Sequence, residues 1–121
     1  MVSSLPFQLF RLLATGVVTS PGYPGHYSNN TAKTETIQVE EGMQMILQFT
    51  AFNIQSHSNC ALDYLNVTDG DGTPLLEKTC GSTLPNNLTS TSNVVNVFFK
   101  TNADGTATGW SASWSVATPG V

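Results

Sequence analysis

Charge is scarce in this chain of 121 residues: four Lys or Arg and eight Asp or Glu make up 10% of the positions and give a net charge of −4. About a quarter is usual for a globular domain. Four scattered basic residues leave no footprint for phosphate backbones or anionic lipid, so nucleic acid and membrane surfaces are poor partners. Acid–base groups are also few. The only histidines are His26 and His57, both in polar stretches, and there is no G-x-S-x-G, H-E-x-x-H or phosphate-binding glycine loop. An enzyme is therefore not expected. Beyond the N-terminal stretch no apolar run approaches the length of a membrane span, no internal repeat is visible, and a soluble product without membrane insertion is expected. Cysteine is limited to Cys60 and Cys80, whose spacing fits no C-x-x-C metal pattern. That leaves a disulfide or two free thiols.

What replaces charge is hydroxyl and amide. Ser, Thr and Asn fill 38 of the 121 positions, which implies a neutral, hydrogen-bonding surface, while the 40% hydrophobic content is enough for the core of one domain. Three N-x-T sequons, at Asn29, Asn66 and Asn87, are glycosylation candidates. They point to an extracellular, secreted protein, the setting in which a disulfide forms and persists. The N-terminus supports secretion poorly: "MVSSLPFQLFRLLATG" is broken by Pro6, Gln8 and Arg11 and lacks a basic start. Residues 1–12 are expected to be a non-domain segment, a poor signal peptide or a fragment edge, with one domain over 13–118.

Period-two alternation dominates the rest. In "WSASWSV", Trp110, Ala112, Trp114 and Val116 face one way and three serines the other; "MQMILQF" aligns Met43, Met45, Leu47 and Phe49, and "VVNVFFKT" aligns Val95, Val97 and Phe99. Shorter strands are expected at 16–20, 34–39, 63–68 and 75–80, separated by Gly-, Pro- and Asn-rich turns. In "DYLNVT", Leu65 and Val67 point inward and Asn66 outward, which makes that sequon sterically usable. No window shows a helical stripe. Many short strands with frequent turns indicate an all-β antiparallel sandwich or barrel.

Three local features have both a chemical and a plain reading. "DGDG" at 69–72 begins like an EF-hand loop, but Pro74 takes the place of the required Gly and Cys80 that of the closing Glu. Asp69 and Asp71 are read as hairpin-turn residues, because Asp-Gly pairs supply positive φ. His57 lies three residues before Cys60, yet a disulfide-bonded cysteine cannot act as a nucleophile. In "SPGYPGHYSNN", Tyr23 and Tyr27 are candidate loop contacts, weighed against packing over one end of a sandwich, which is the favoured reading.

Taken in order, "SPGYPGHYSNN", "FTAFNIQSHSNCALDYLNVTDG", "CGSTLP" and "NADGTATGWSASW" resemble the successive blocks of a CUB domain over about residues 13–117. The resemblance implies a jelly-roll β-sandwich of two antiparallel sheets. It also implies that Cys60 and Cys80 form the second of the family's two usual bridges. The first bridge is absent, because Lys33 stands at the second cysteine's position, followed by Glu35 where the family has Trp, and "PFQLFR" holds no first cysteine. A single-disulfide variant is expected. Many family members bind calcium through three carboxylates, and the matching positions here are Gln55, Asp63 and Asn102. Ligand charge falls from −3 to −1, so calcium is expected to bind weakly, with Asp104 the one nearby carboxylate that could add charge.

The function implied is a non-enzymatic extracellular module that recognises protein or glycan partners through its end loops and requires no cofactor. Calcium-binding relatives receive a partner lysine on the calcium-site carboxylates; one carboxylate receives it far less, so apolar and hydrogen-bonding contacts should dominate. The alternatives are an auxiliary targeting domain of a larger extracellular protease and a stand-alone spermadhesin-like carbohydrate-binding protein.

Overall fold

The computed structural model describes residues 15–117. The expected segment 1–12 and the two ends of the expected domain lie outside the described residues. Eight strands are present: β1 (Thr15–Thr19), β2 (Ala32–Gln38), β3 (Gln44–Asn53), β4 (Tyr64–Asp69), β5 (Pro74–Thr79), β6 (Leu88–Thr89), β7 (Val94–Lys100) and β8 (Gly109–Ala117). They form two antiparallel four-stranded sheets, ordered β1-β8-β3-β6 and β2-β7-β4-β5. This is the expected jelly-roll sandwich.

Alternation explains the core. Met45, Leu47 and Phe49 of β3 and Trp110, Ala112 and Trp114 of β8 turn inward against Leu65 and Val67 of β4 and Val95, Val97 and Phe99 of β7, all buried. Aromatic edges meet aromatic faces at the centre, Tyr27 on Phe99 at 5.0 Å and Phe99 near Trp110 at 6.0 Å. The serines of β8 face outward, although Ser111 is covered because β8 runs between β1 and β3.

The expected strands are displaced by a residue or two at their ends, with two larger differences. β3 continues past Phe49 to Asn53 by shifting register between Phe49 and Ala51. The two-residue β6 was not anticipated, because two residues carry no alternation, and it exists by pairing with Ile46 and Leu47 of β3.

Cys60 and Cys80 are bridged, with Cα atoms 5.5 Å apart. Where the other bridge would attach, Lys33 and Glu35 occupy the row of β2 that pairs with Phe99 and Val97, so they lie on the inner side of an edge strand. Lys33 is exposed and Glu35 partly so, and they pair with each other at 3.2 Å. Between β1 and β2 the sandwich stays open as a cleft of about 450 Å³ lined by Val17, Val18, Glu35, Ile37 and Trp114 among others.

Candidate functional site

The loops 20–31, 54–63, 80–87 and 101–108 gather at one end of the sandwich, and Asp63 lies beneath them. Its carboxylate enters just before β4 and is fully buried. It accepts two hydrogen bonds, from the Tyr27 hydroxyl at 2.6 Å and from the Asn102 backbone N–H at 2.8 Å. The same Tyr27 hydroxyl accepts the Gln55 backbone N–H at 3.0 Å. Three loops are thereby tied to one carboxylate. Burial, and then the proton shared with Asp63, push Tyr27 well above the ordinary phenol range, so it stays a donor.

Tyr27 is thus not a surface contact, which corrects one of the two readings of its loop. It is buried because its ring fills the core against Phe99 while its hydroxyl reaches Asp63. Tyr23 is partly exposed in the turn ahead of it.

Gln55 and Asn102 both reach the site. Each is half-buried, and Gln55 Oε1 and Asn102 Oδ1 are sealed from solvent with no hydrogen-bond partner among the described residues. Leaving such an oxygen unpaired costs about 1–3 kcal/mol. Gly105 closes the loop over Gln55: its φ is +81°, and a Cβ there would come within 2.2 Å of the Gln55 amide. Asp104 is exposed, and no group of three or more His, Cys, Asp or Glu side chains gathers here or elsewhere among the described residues. The two unpartnered amide oxygens belong to residues whose backbone N–H groups join the Tyr27–Asp63 network, and an amide oxygen is a donor that a hard cation such as calcium accepts.

The histidines lie on the same end without forming a catalytic pair. His26 Nδ1 is 3.0 Å from Thr106 Oγ1, and His57 Nδ1 is 3.0 Å from the carbonyl of Ser58. Cys60 is held in the disulfide.

A second buried carboxylate sits at the opposite end. The Asp69–Thr73 turn forms as expected, with Asp71 receiving the Thr73 N–H at 2.9 Å. Hydrogen bonding holds Asp71 below the usual carboxylate range. Asp69 goes beyond a turn residue: it is fully buried, and it accepts bonds from Gly70 N–H, Thr91 N–H and the hydroxyls of Thr91 and Ser92. Burial alone would raise its pKa, but the bonds from Ser92, Thr91 and Gly70 outweigh it and hold the value at about 2. Asp69 therefore anchors the loop between β6 and β7. The signal for it was present: 63, 65, 67 and 69 share one face of β4, so the inward row read at Leu65 and Val67 ends in a carboxylate on either side.

Of the sequons, Asn29 is exposed in a turn and Asn87 in the irregular stretch before β6, while Asn66 is half-buried in β4 with its Oδ1 sealed.

A two-sheet all-β sandwich with a buried carboxylate under its end loops and one bridge beside it defines a compact, disulfide-bonded β module. The CUB domain family matches residues 12–114, and this chain belongs to it. Cubilin of Sus scrofa is 34% identical over 107 residues, covering 87% of this chain and 3% of cubilin. The astacin-like metalloendopeptidase of Gallus gallus is 36% identical over 107 residues, covering 86% of this chain and 26% of that protein. Among solved structures, the MASP-1 CUB2 domain bound to Ca2+ superposes with a TM-score of 0.79 at 30% identity, covering 86% of this chain and 94% of that one. The chain therefore spans a small part of the curated relatives and nearly all of a single solved domain.

Proposed function

We infer that this chain is a recognition module of a larger extracellular protein, occupying residues 13–118 and docking a protein partner on the loops above Asp63. The domain is a non-catalytic CUB fold and is extracellular. The observation that carries the reading is the Asp63 cluster, which fixes three loops to one buried carboxylate and so presents a pre-shaped end surface. Similarity to cubilin and to an astacin-like metalloendopeptidase, both far longer than this chain, supports an auxiliary, targeting role over a stand-alone one.

The surface it presents is neutral and rich in hydroxyl and amide groups, so hydrogen bonds and apolar contact carry the affinity. Binding of extracellular proteins is expected to fall when exposed residues of this end, Ser56, His57 and Asp104, are replaced together by alanine. It should persist when Glu40, Glu41 and Asp71 at the other end are replaced. The reverse pattern on an array of extracellular proteins rejects the reading.

Asp63, with Gln55 Oε1 and Asn102 Oδ1, would hold calcium. A bound ion would supply positive charge beside the carboxylate. Tyr27 and the Asn102 N–H hold that carboxylate in place. Titration calorimetry is expected to show affinity no tighter than about millimolar. Micromolar affinity lost in Asp63→Ala would overturn the single-charge argument.

A further inference from the structure

The fold gives the three sequons different surroundings. Asn66 lies within β4, which pairs with β5 on one side and β7 on the other, and it stands opposite Phe98. A glycan there would have to rise from a half-sealed amide on a sheet face. Asn87 is exposed just before β6, in the loop that follows Cys80. Asn29 is exposed at the start of the Asn29–Asn30 turn that leads into β2.

That turn is fastened from behind. Asn30 N–H donates to the Asn102 carbonyl at 2.8 Å, Thr31 N–H to Thr101 Oγ1 at 2.7 Å, and Thr101 Oγ1 to the Ser28 carbonyl at 2.8 Å. Asn30 adopts a φ of 57°, which asparagine tolerates better than most residues. The backbone of the turn is therefore held against the 101–108 loop, and the Asn29 side chain is left to solvent. Its root is also close to the site: Asn102, which receives the turn, donates its own N–H to Asp63.

The order of strands sets the direction of the consequence. In the β2-β7-β4-β5 sheet the Asn29 turn enters the β2 edge, Asn102 follows β7, Asp63 precedes β4, and Cys80 follows β5 at the far edge. We propose that Asn29 carries an N-linked glycan that screens the β2 flank of the Asp63 end. The consequence for docking rests on the reading of this end as the recognition surface; the glycan itself does not.

The chain carries its own probes, because exposed His26 shares the loop of Asn29, three residues before it, whereas exposed His57 lies beside the bridge, its carbonyl 3.7 Å from Cys80 Sγ. Residues 1–121 are secreted from animal cells behind a secretion signal and treated with peptide-N-glycosidase in heavy-oxygen water, which marks each glycan-bearing Asn as a labelled Asp. Label at Asn29 is expected. An unlabelled Asn29 overturns the proposal and leaves the calcium and recognition readings as they stand. In a second arm, diethyl pyrocarbonate modification is timed on the glycosylated protein and on Asn29→Gln, with enzymatically deglycosylated wild type as the comparison that needs no substitution. His26 is expected to react severalfold faster once the glycan is gone, and His57 at an unchanged rate. An equal change at both histidines, or none at either, overturns the one-sided screen.

Discussion

The two fully buried aspartates each hold one end of the sandwich together. Asp63 organises the loop end through Tyr27 and Asn102, and Asp69 closes the other end through Thr91 and Ser92. Tyr27→Phe keeps the ring on Phe99 but removes a hydroxyl that both donates and accepts. A loss of about 2 kcal/mol in urea melting is expected, from a buried carboxylate left short of a donor. Asp69→Asn is expected to cost about 2 kcal/mol at neutral pH, because several bonds to the charged oxygens weaken together. Its folded pKa, about 2, lies below the ordinary 3.8, so the stabilisation is complete above that ordinary value and is lost as pH falls through the folded one. The gap between wild type and Asp69→Asn should therefore close between about pH 4 and pH 2. A gap constant over that range in parallel urea melts would show that Asp69 acts by shape alone.

Among the elements, the edge strands differ most from what a two-bridge family member would show. Lys33 and Glu35 fall on the inner row of β2, where alternation calls for apolar side chains, and only Ile37 of that row is buried. An exposed ion pair contributes at most about 1 kcal/mol, so the seam between β1 and β2 is weakly held there. Inward charges on an edge also discourage pairing with another chain. β1 is held to its sheet by its ladder with β8, and the Trp114 ring lies over Gly16 within it: a Cβ at Gly16 would come within 2.5 Å of that ring. Gly16→Ala is expected to displace β1 or the indole and cost about 1–3 kcal/mol, with a shift in tryptophan fluorescence. An unchanged spectrum and melting curve would mean that the edge strand adjusts freely.

At the scale of the whole molecule, one cross-link and one core support the fold. The Cys60–Cys80 bridge closes a loop of 20 residues beside the Asp63 end. Reduction is expected to lower stability by about 3 kcal/mol, read as a lower melting midpoint with reductant. An unchanged midpoint would place all of the stability in the core. The sandwich was legible in the sequence because period-two alternation at Met45 to Phe49, Val95 to Phe99 and Trp110 to Trp114 is a local property of each strand, and burial follows it directly. The bridge was legible through the resemblance to CUB domains. The rest depended on contacts between residues distant in the chain. β6 is a strand only because β3 lies beside it, Tyr27 is a core residue only because Phe99 and Asp63 receive it, and Asp69 is buried only because Thr91 and Ser92 supply donors. The sequence by itself determined which faces of which strands are apolar, since that needs nothing beyond neighbours two residues apart. Tertiary structure alone decided which polar groups could be buried, because a buried carboxylate or hydroxyl is stable only where the fold brings partners to it.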